Sequence, residues 1–136
     1  MILKPGLSQE IEIIVQVGDT AAAFCEALPP VLSTPYLVSL LENAAMQAIR
    51  PFLADGQSSV GTRVNIQHMA ATPVGMQVRI RAELLSVEGR RVLFKVDAWD
   101  EVEKIAEGEH ERYIIDVARF TASFEKKMGI KGKNHG

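Results

Sequence analysis

The feature that most constrains this sequence is a long apolar segment, residues 34–53, which is rich in leucine, alanine and methionine. Thr34 suits the N-cap of a helix and Pro35 suits its first turn, while Asp55 and Gly56 would end it. The segment therefore predicts a long helix that is apolar on most sides. Such a helix is stable only where other elements cover most of its surface.

The rest of the chain mostly shows the two-residue period of β-strands. Residues 8–17 alternate between apolar and polar, and residues 20–28 predict a short helix before Pro29 and Pro30. Four more strands, joined mostly by tight turns, are predicted at residues 59–68, 76–87, 92–99 and 104–124. This order indicates an α+β fold with an antiparallel sheet. A curved sheet wrapped around one long helix is the hot-dog fold, which we expect here.

The composition is that of one globular domain. The chain has 136 residues, of which 47% are hydrophobic and 24% charged, and we expect the domain to span residues 1–124. Residues 125–136 contain four lysines and three glycines, which predicts a flexible basic tail. The net charge of −2 lacks the basic surplus of proteins that bind the nucleic-acid backbone, so no nucleic-acid partner is expected.

Metal, disulfide and membrane roles are also not expected. Cys25 is the single cysteine, and the three histidines lie far apart in the sequence. His110 is flanked by Glu109 and Glu111, but neighbours on a strand face opposite sides, which favours a structural or substrate-edge role over a metal site. No signal peptide and no apolar run of about 20 residues is present, so we expect a cytoplasmic protein without a membrane partner.

One carboxylate lies on the apolar side of the predicted long helix. On a helical wheel with Ser39 at zero, Glu42 falls at roughly 300°, between Ile49 and Met46. It lies outside the polar stripe, which is formed by Ser39, Asn43, Gln47 and Arg50. Either Glu42 reaches water at a rim, or it is held among apolar neighbours. A carboxylate held in that way must be paired or have a raised pKa, and both suit a general base or nucleophile.

His68 is a second polar residue in an apolar pattern. The alternation in its strand places it on one face with Val60, Thr62, Val64 and Ile66, which would point toward the helix. A lone histidine on such a face can be a core residue with no catalytic role. Because Glu42 faces outward from the helix and His68 faces inward from the sheet, the two could also meet.

Thr34 is the third candidate. As an N-cap, its hydroxyl group would have a sufficient structural role. The start of a helix also exposes free N–H groups and a partial positive charge, which could hold an oxyanion or the carbonyl group of an ester. A capping residue beside such a site could serve both purposes.

At these residues the sequence resembles the fluoroacetyl-CoA thioesterase family of hot-dog proteins. The likeness runs in register from about Thr34 to Phe120. Its more specific elements are the His-x-Ala-Ala-Thr-Pro motif that begins at His68 and a Val-Glu-Gly-Arg-Arg turn. The matching stretches are residues 33–42, 61–62, 67–73, 86–91 and 108–112.

The resemblance implies an acyl-CoA thioesterase whose catalytic set falls on Thr34, Glu42 and His68. It also implies that Gly61 approaches the acyl carbonyl and that Arg112 lies near the site as a substrate-binding residue. No cofactor is implied, because coenzyme A is part of the substrate. Members of the family are usually homodimers with the site at the subunit interface, which we expect here.

One departure from the family concerns the acyl pocket. Members selective for fluoroacetate close it with phenylalanines on the segment before the threonine, and the aligned positions here are Cys25 and Leu28, with Phe24 one position away. The resemblance therefore supports thioester hydrolysis more than fluoroacetyl selectivity. An alternative from a different class is a non-catalytic module that binds acyl-CoA or another small ligand, because fold does not fix function. A Ser-His-Asp hydrolase is not favoured, since the Gly-x-Ser-x-Gly motif is absent.

Overall fold

The protein forms one antiparallel sheet with a long helix packed against one face. The computed structural model describes residues 2–135, with side chains as far as residue 132. In chain order the elements are β1 (Ser8–Ile14), α1 (Thr34–Ile49), β2 (Gln57–His68), β3 (Gln77–Glu88), β4 (Arg91–Trp99), β5 (Lys104–Asp116) and α2 (Val117–His135). The strands lie side by side in the order β1-β3-β4-β5-β2. The predicted α+β architecture is confirmed.

The hydrophobic core lies between α1 and the inner face of the sheet. Leu41 and Ile49 of α1 are fully buried, and Met46 is half-buried at the margin. The helix packs mainly against β3 and β1, at one side of the sheet. The inner face near β2 therefore receives little cover from α1, and Val64 on that face is exposed.

The N-terminus of α1 differs from the sequence prediction by one residue. Ser33, not Thr34, is the N-cap, and its hydroxyl accepts a hydrogen bond from the Tyr36 amide at 3.2 Å. Thr34 is the first helical residue. Ser33 therefore carries the capping role, which leaves the Thr34 hydroxyl free for another partner.

A β-bulge changes which residues of β2 face the helix. The pairing of β2 with β5 shifts between Gly61 and Arg63, so that Thr62 is an extra residue. The Thr62 hydroxyl donates to the Glu111 carboxylate at 2.9 Å, on the outer face. Strict alternation predicted that Val60 and Thr62 face inward, and this is wrong. The inner-face residues are Ser59, Gly61, Val64, Ile66 and His68, which lie opposite the inward-facing positions of β5.

The segment before α1 and the C-terminal segment also differ from prediction. The expected helix at residues 20–28 is only a 3-10 turn, Ala21–Ala23, because backbone bonds to the following chain hold this segment, such as the one from the Ala21 amide to Val31 at 2.8 Å. The last strand ends at Asp116 and not at residue 124. Residues 117–135 form α2, so the predicted tail at 125–136 is helical as far as it is described. That this segment is a separate flexible tail stays a prediction.

No helix among residues 2–135 is long and apolar enough to cross a membrane.

Gly108 in β5 lies close to the backbone of β2. Its φ angle is +158°, and a Cβ atom at this position would overlap the Asn65 carbonyl oxygen and lie 2.7 Å from Ile66 Cα. Both atoms belong to the backbone of β2, so they cannot move aside cheaply. We expect Gly108→Ala to lower the free energy of unfolding by about 2 kcal/mol. Urea unfolding measures this, with Gly18→Ala as control, because a Cβ at Gly18 meets nothing within 4 Å. A loss as small as that of the control would contradict the prediction.

Candidate active site

Thr34 and His68 form a side-chain pair at one end of the helix. Thr34 Oγ1 and His68 Nδ1 share a hydrogen bond of 2.8 Å, which joins the first residue of α1 to the last residue of β2. The pair lies at the edge of a cleft of about 290 Å³, lined also by Ala21, Val31 and Met69. The structure thus brings together two of the three predicted catalytic residues.

The second ring nitrogen of His68 makes no hydrogen bond within the described chain. Its Nε2 atom is enclosed and has no hydrogen-bond partner among the residues that the structure describes. Burial is the main cause that lowers the pKa of His68, and the backbone of Ala70 opposes that shift, so the neutral imidazole predominates at pH 7. A neutral imidazole that is oriented through Nδ1, with Nε2 unengaged, can exchange a proton with a bound group.

Glu42 lies over Gly61 on β2. It is partly exposed, with 38% of the side chain accessible, so it lies at a margin and not deep among apolar neighbours. A Cβ atom on Gly61 would lie 2.6 Å from Glu42 Oε2. The absence of a side chain at Gly61 therefore makes room for the carboxylate.

Arg112 is the ionic partner of Glu42. The guanidinium is buried, with 5% exposure, and its Nη1 atom lies 3.5 Å from Glu42 Oε2. Its Nε donates to Ser59 Oγ at 2.8 Å, and its Nη2 donates to the Ser59 carbonyl at 2.8 Å. Burial lowers the pKa of Arg112, and the charge of Glu42 opposes that shift. The predicted substrate-binding residue thus belongs to the Glu42 cluster.

His110 completes this cluster as a buried neutral histidine. Its Nδ1 donates to the Arg63 carbonyl at 2.8 Å, and its Nε2 accepts from Arg112 Nη1 at 3.2 Å. Burial is the main cause that lowers the pKa of His110, and the charge of Arg112 adds to it. No group of three or more residues able to hold a metal ion occurs in the described part of the chain.

Within one chain, the candidate residues form two separate half-sites. We call Thr34 and His68 the histidine half-site, and Glu42, Gly61 and Arg112 the carboxylate half-site. Thr34 and Glu42 are separated by about 12 Å along the helix axis. Gly61 and His68 are separated by about 20 Å along the strand. The expected contact between Glu42 and His68 is therefore not made inside a single chain.

The start of α1 offers fewer free amides than an ordinary helix N-terminus. Pro35 has no N–H group, and the Tyr36 amide donates to Ser33 Oγ. Among the first three residues of α1, Thr34 alone has an N–H group without a hydrogen-bond partner in the described residues. A broad oxyanion site built from helix-start amides is therefore not available.

Comparison with known proteins identifies the family. A model of the fluoroacetyl-CoA-specific thioesterase (FlK) family matches residues 15–118, most of the chain. This protein belongs to that family. The fluoroacetyl-CoA thioesterase of Streptantibioticus cattleyicolor is 43% identical over 99 residues, which are 73% of this chain and 71% of that protein.

Solved structures agree with this family and with the hot-dog fold. FlK superimposes with a TM-score of 0.89 at 34% identity, over 93% of this chain and 98% of that chain. A thioesterase superfamily member from Thermus thermophilus gives a TM-score of 0.89 at 30% identity, over 96% of each chain. The predicted hot-dog fold is confirmed, and the protein is a thioesterase of the FlK family.

The contact between Gly61 and Glu42 allows a direct test of the carboxylate half-site. In Gly61→Ala, the new methyl group would push the Glu42 carboxylate aside, because the flexible side chain yields more readily than the backbone. We expect thioester hydrolysis to fall by about 100-fold, as misplacement by about 1 Å can cause. The thermal midpoint should remain close to that of the wild type.

The measurements are kcat for a short acyl-CoA and thermal unfolding of the same preparations. Gly129→Ala is the matched control, because Gly129 lies in α2 and a Cβ there meets nothing within 4 Å. Full activity in folded Gly61→Ala would show that the position of Glu42 over Gly61 has no part in turnover.

Proposed function

We propose that this protein hydrolyses small acyl-CoA thioesters in a site that two identical subunits complete. The single observation that supports this most is the split of the candidate residues into two half-sites, one at Gly61 and one at His68, about 20 Å apart along one edge strand. Neither half-site alone contains both a carboxylate and an available imidazole. We place the enzyme in the cytoplasm, where acyl-CoA is found, and expect no cofactor, because water and side chains suffice for the hydrolysis.

The free edge of β2 supports pairing with a second copy. In the described sheet β2 lies at the end, so one row of its backbone N–H and C=O groups has no strand beside it. On its inner face Val64 is exposed, and Ile66 is only partly buried against the core. A two-fold related copy would pair the two β2 strands and cover this apolar surface.

The bulge at Thr62 is compatible with one dimer register in which the half-sites would meet. Residues opposite each other in an antiparallel pair share a face. A two-fold axis at Asn65 therefore places Val64 opposite Ile66 of the partner subunit, both on the inner face. Regular pairing would place Thr62 opposite His68 of the partner subunit. Because Thr62 is the extra residue of the bulge, Gly61 takes that place instead, again on the inner face. Glu42, which lies over Gly61, would then approach the partner's His68.

In such a site each group has a defined chemical task. Glu42 either attacks the thioester carbonyl, which breaks the C–S bond, releases the CoA thiolate and gives an anhydride that water cleaves, or it removes a proton from a water that attacks the carbonyl and releases the same thiolate. His68 activates water or transfers the proton, oriented by Thr34 through Nδ1. Gly61 lets the acyl carbonyl approach the backbone, and Arg112 holds Glu42. Rapid quench in labelled water separates the two routes, since label in Glu42 marks the anhydride route.

The catalytic assignment predicts a large loss of turnover on replacing either residue. We expect Glu42→Gln and His68→Ala each to lower kcat at least about 100-fold, because positioned acid–base groups contribute about 10²- to 10⁴-fold. Glutamine is chosen because its side-chain oxygen can still accept from Arg112 Nη1. Thiol release from a panel of short acyl-CoAs provides the measurement. Wild-type binding of acyl-CoA without any turnover would instead support the non-catalytic module.

The shared site predicts that the two inactive variants complement each other. A mixed dimer of Glu42→Gln and His68→Ala subunits has one intact site and one site with both changes. After unfolding and refolding of an equal mixture, we expect about one quarter of wild-type activity, since half the dimers are mixed. Sedimentation of the wild type should show a dimer. A mixture as inactive as its components would contradict a site built from two subunits.

Selectivity for the acyl group depends on the segment before α1. Phe24 is 66% exposed and Leu28 is 46% exposed, and Cys25 between them is also exposed. The phenylalanine pair implied for fluoroacetate-selective members is therefore not reproduced as a packed lid over the histidine half-site. An open pocket admits water and discriminates poorly between substituents of similar size.

We therefore expect a modest preference for fluoroacetyl-CoA over acetyl-CoA. Even one methylene group is worth only about 1–3 kcal/mol in a hydrophobic pocket, and fluorine differs from hydrogen by less volume. The comparison is kcat/KM for the two thioesters, measured on the same preparation. A ratio of many thousandfold in favour of the fluorinated substrate would mean that Phe24 or another group closes the pocket.

A further inference from the structure

Arg112 makes three hydrogen bonds in addition to its contact with Glu42. Its Nε and Nη2 atoms donate to Ser59 Oγ and to the Ser59 carbonyl, both at 2.8 Å. Its Nη1 donates to His110 Nε2 at 3.2 Å, and the same nitrogen lies 3.5 Å from Glu42 Oε2. A guanidinium is planar and has five N–H groups, so bonds along two edges fix the direction of the remaining N–H.

We propose that Ser59 and His110 are positioning residues, which fix Arg112 so that its Nη1 holds the Glu42 carboxylate over Gly61. This inference rests on the proposed role of Glu42 in thioester hydrolysis. Both residues would act on Glu42 through their hydrogen bonds to Arg112. The family resemblance implies a role for Arg112 but not for Ser59, and strand alternation favours a structural or substrate-edge role for His110.

The hydrogen bonds of His110 determine which of its nitrogens accepts. The Arg63 carbonyl can only accept, so His110 Nδ1 must carry the hydrogen. Nε2 then presents a lone pair to Arg112, which can only donate. The imidazole is almost fully buried, with 1% exposure, and makes an edge contact with Phe94. A protonated His110 would place two cations 3.2 Å apart, so the neutral form is the one that supports Arg112.

The bulge in β2 places these groups around one point. Arg63 follows the extra residue Thr62, and its carbonyl orients His110. Gly61 precedes the bulge, and a Cβ there would lie 3.2 Å from His110 Cε1 as well as close to Glu42. The chain of contacts therefore runs from the bulge through His110 and Arg112 to the carboxylate.

A purely structural role for Ser59 and His110 makes a different prediction. If they only satisfied a buried arginine, their loss would lower stability and leave kcat per folded molecule unchanged. If they position Glu42, their loss should lower kcat with little change in KM, because the acyl-CoA contacts remain. The effect should also vanish when Glu42 no longer carries its carboxylate.

The experiment uses Ser59→Ala, His110→Leu and His110→Gln, each assayed on the best acyl-CoA of the wild type. We expect kcat to fall about 10-fold in Ser59→Ala, which keeps the Ser59 carbonyl, and about 100-fold in His110→Leu. Glutamine offers both a donor and an acceptor, so His110→Gln should recover at least about 10-fold relative to leucine. Ser58→Ala is the matched control, because Ser58 lies on the opposite face of β2.

A double-mutant cycle with Glu42→Gln tests whether the effect passes through the carboxylate. Adding Ser59→Ala to Glu42→Gln should lower the residual kcat by less than about twofold. Unchanged kcat in folded Ser59→Ala or in folded His110→Leu, with an active wild type, would overturn the inference. Full additivity in the cycle would overturn it as well. A wild type that hydrolyses no acyl-CoA would instead refute the proposed function.

Discussion

The structure depends on how one apolar helix is covered by one sheet. Helix α1 packs mainly against β3 and β1, and its buried residues, such as Leu41 and Ile49, lie on that side. A five-stranded sheet extends beyond the width that one helix can cover, so the inner face near β2 is only partly covered. The same packing places both half-sites along β2, at the margin of α1. The candidate site therefore lies where the hydrophobic core of a single chain ends.

The bulge at Thr62 allows the charged side chains of Glu42 and Arg112 to lie at this margin of the core. Without it, Gly61 would face outward and Val60 would face the helix, so Glu42 would meet a valine side chain. With it, a glycine faces the carboxylate, and Ser59 faces Arg112. The extra residue therefore removes a contact between Val60 and Glu42 and leaves space for the ion pair of Glu42 with Arg112. The cost of burying Arg112 is offset by four acceptors around one guanidinium, which is the condition for a buried charge to be tolerated.

The sequence predicted the architecture well, because hydrophobic periodicity determines which elements form. It identified α1, the five strands and the unusual positions of Glu42 and His68. It missed the bulge, since period-two alternation assumes regular pairing and a single extra residue is set by contacts with the neighbouring strand. The inward placement of Ser59 was missed for the same reason. The sequence predicts strand and tail where α2 forms, because Phe120 and Phe124 also fit the two-residue period of a strand and the four lysines and three glycines of residues 125–136 are typical of a solvated tail.

The same hydrogen-bond geometry explains why position 112 requires arginine and not merely a positive charge. Ser59 Oγ, the Ser59 carbonyl, His110 Nε2 and Glu42 Oε2 surround the group on different sides. A lysine ammonium has three N–H groups on one atom, so it cannot reach four acceptors spread along a plane. One acceptor would be left unsatisfied in a buried position, at a cost of about 1–3 kcal/mol. If Glu42 lost its partner, the carboxylate would be free to turn toward water, since part of it is already exposed.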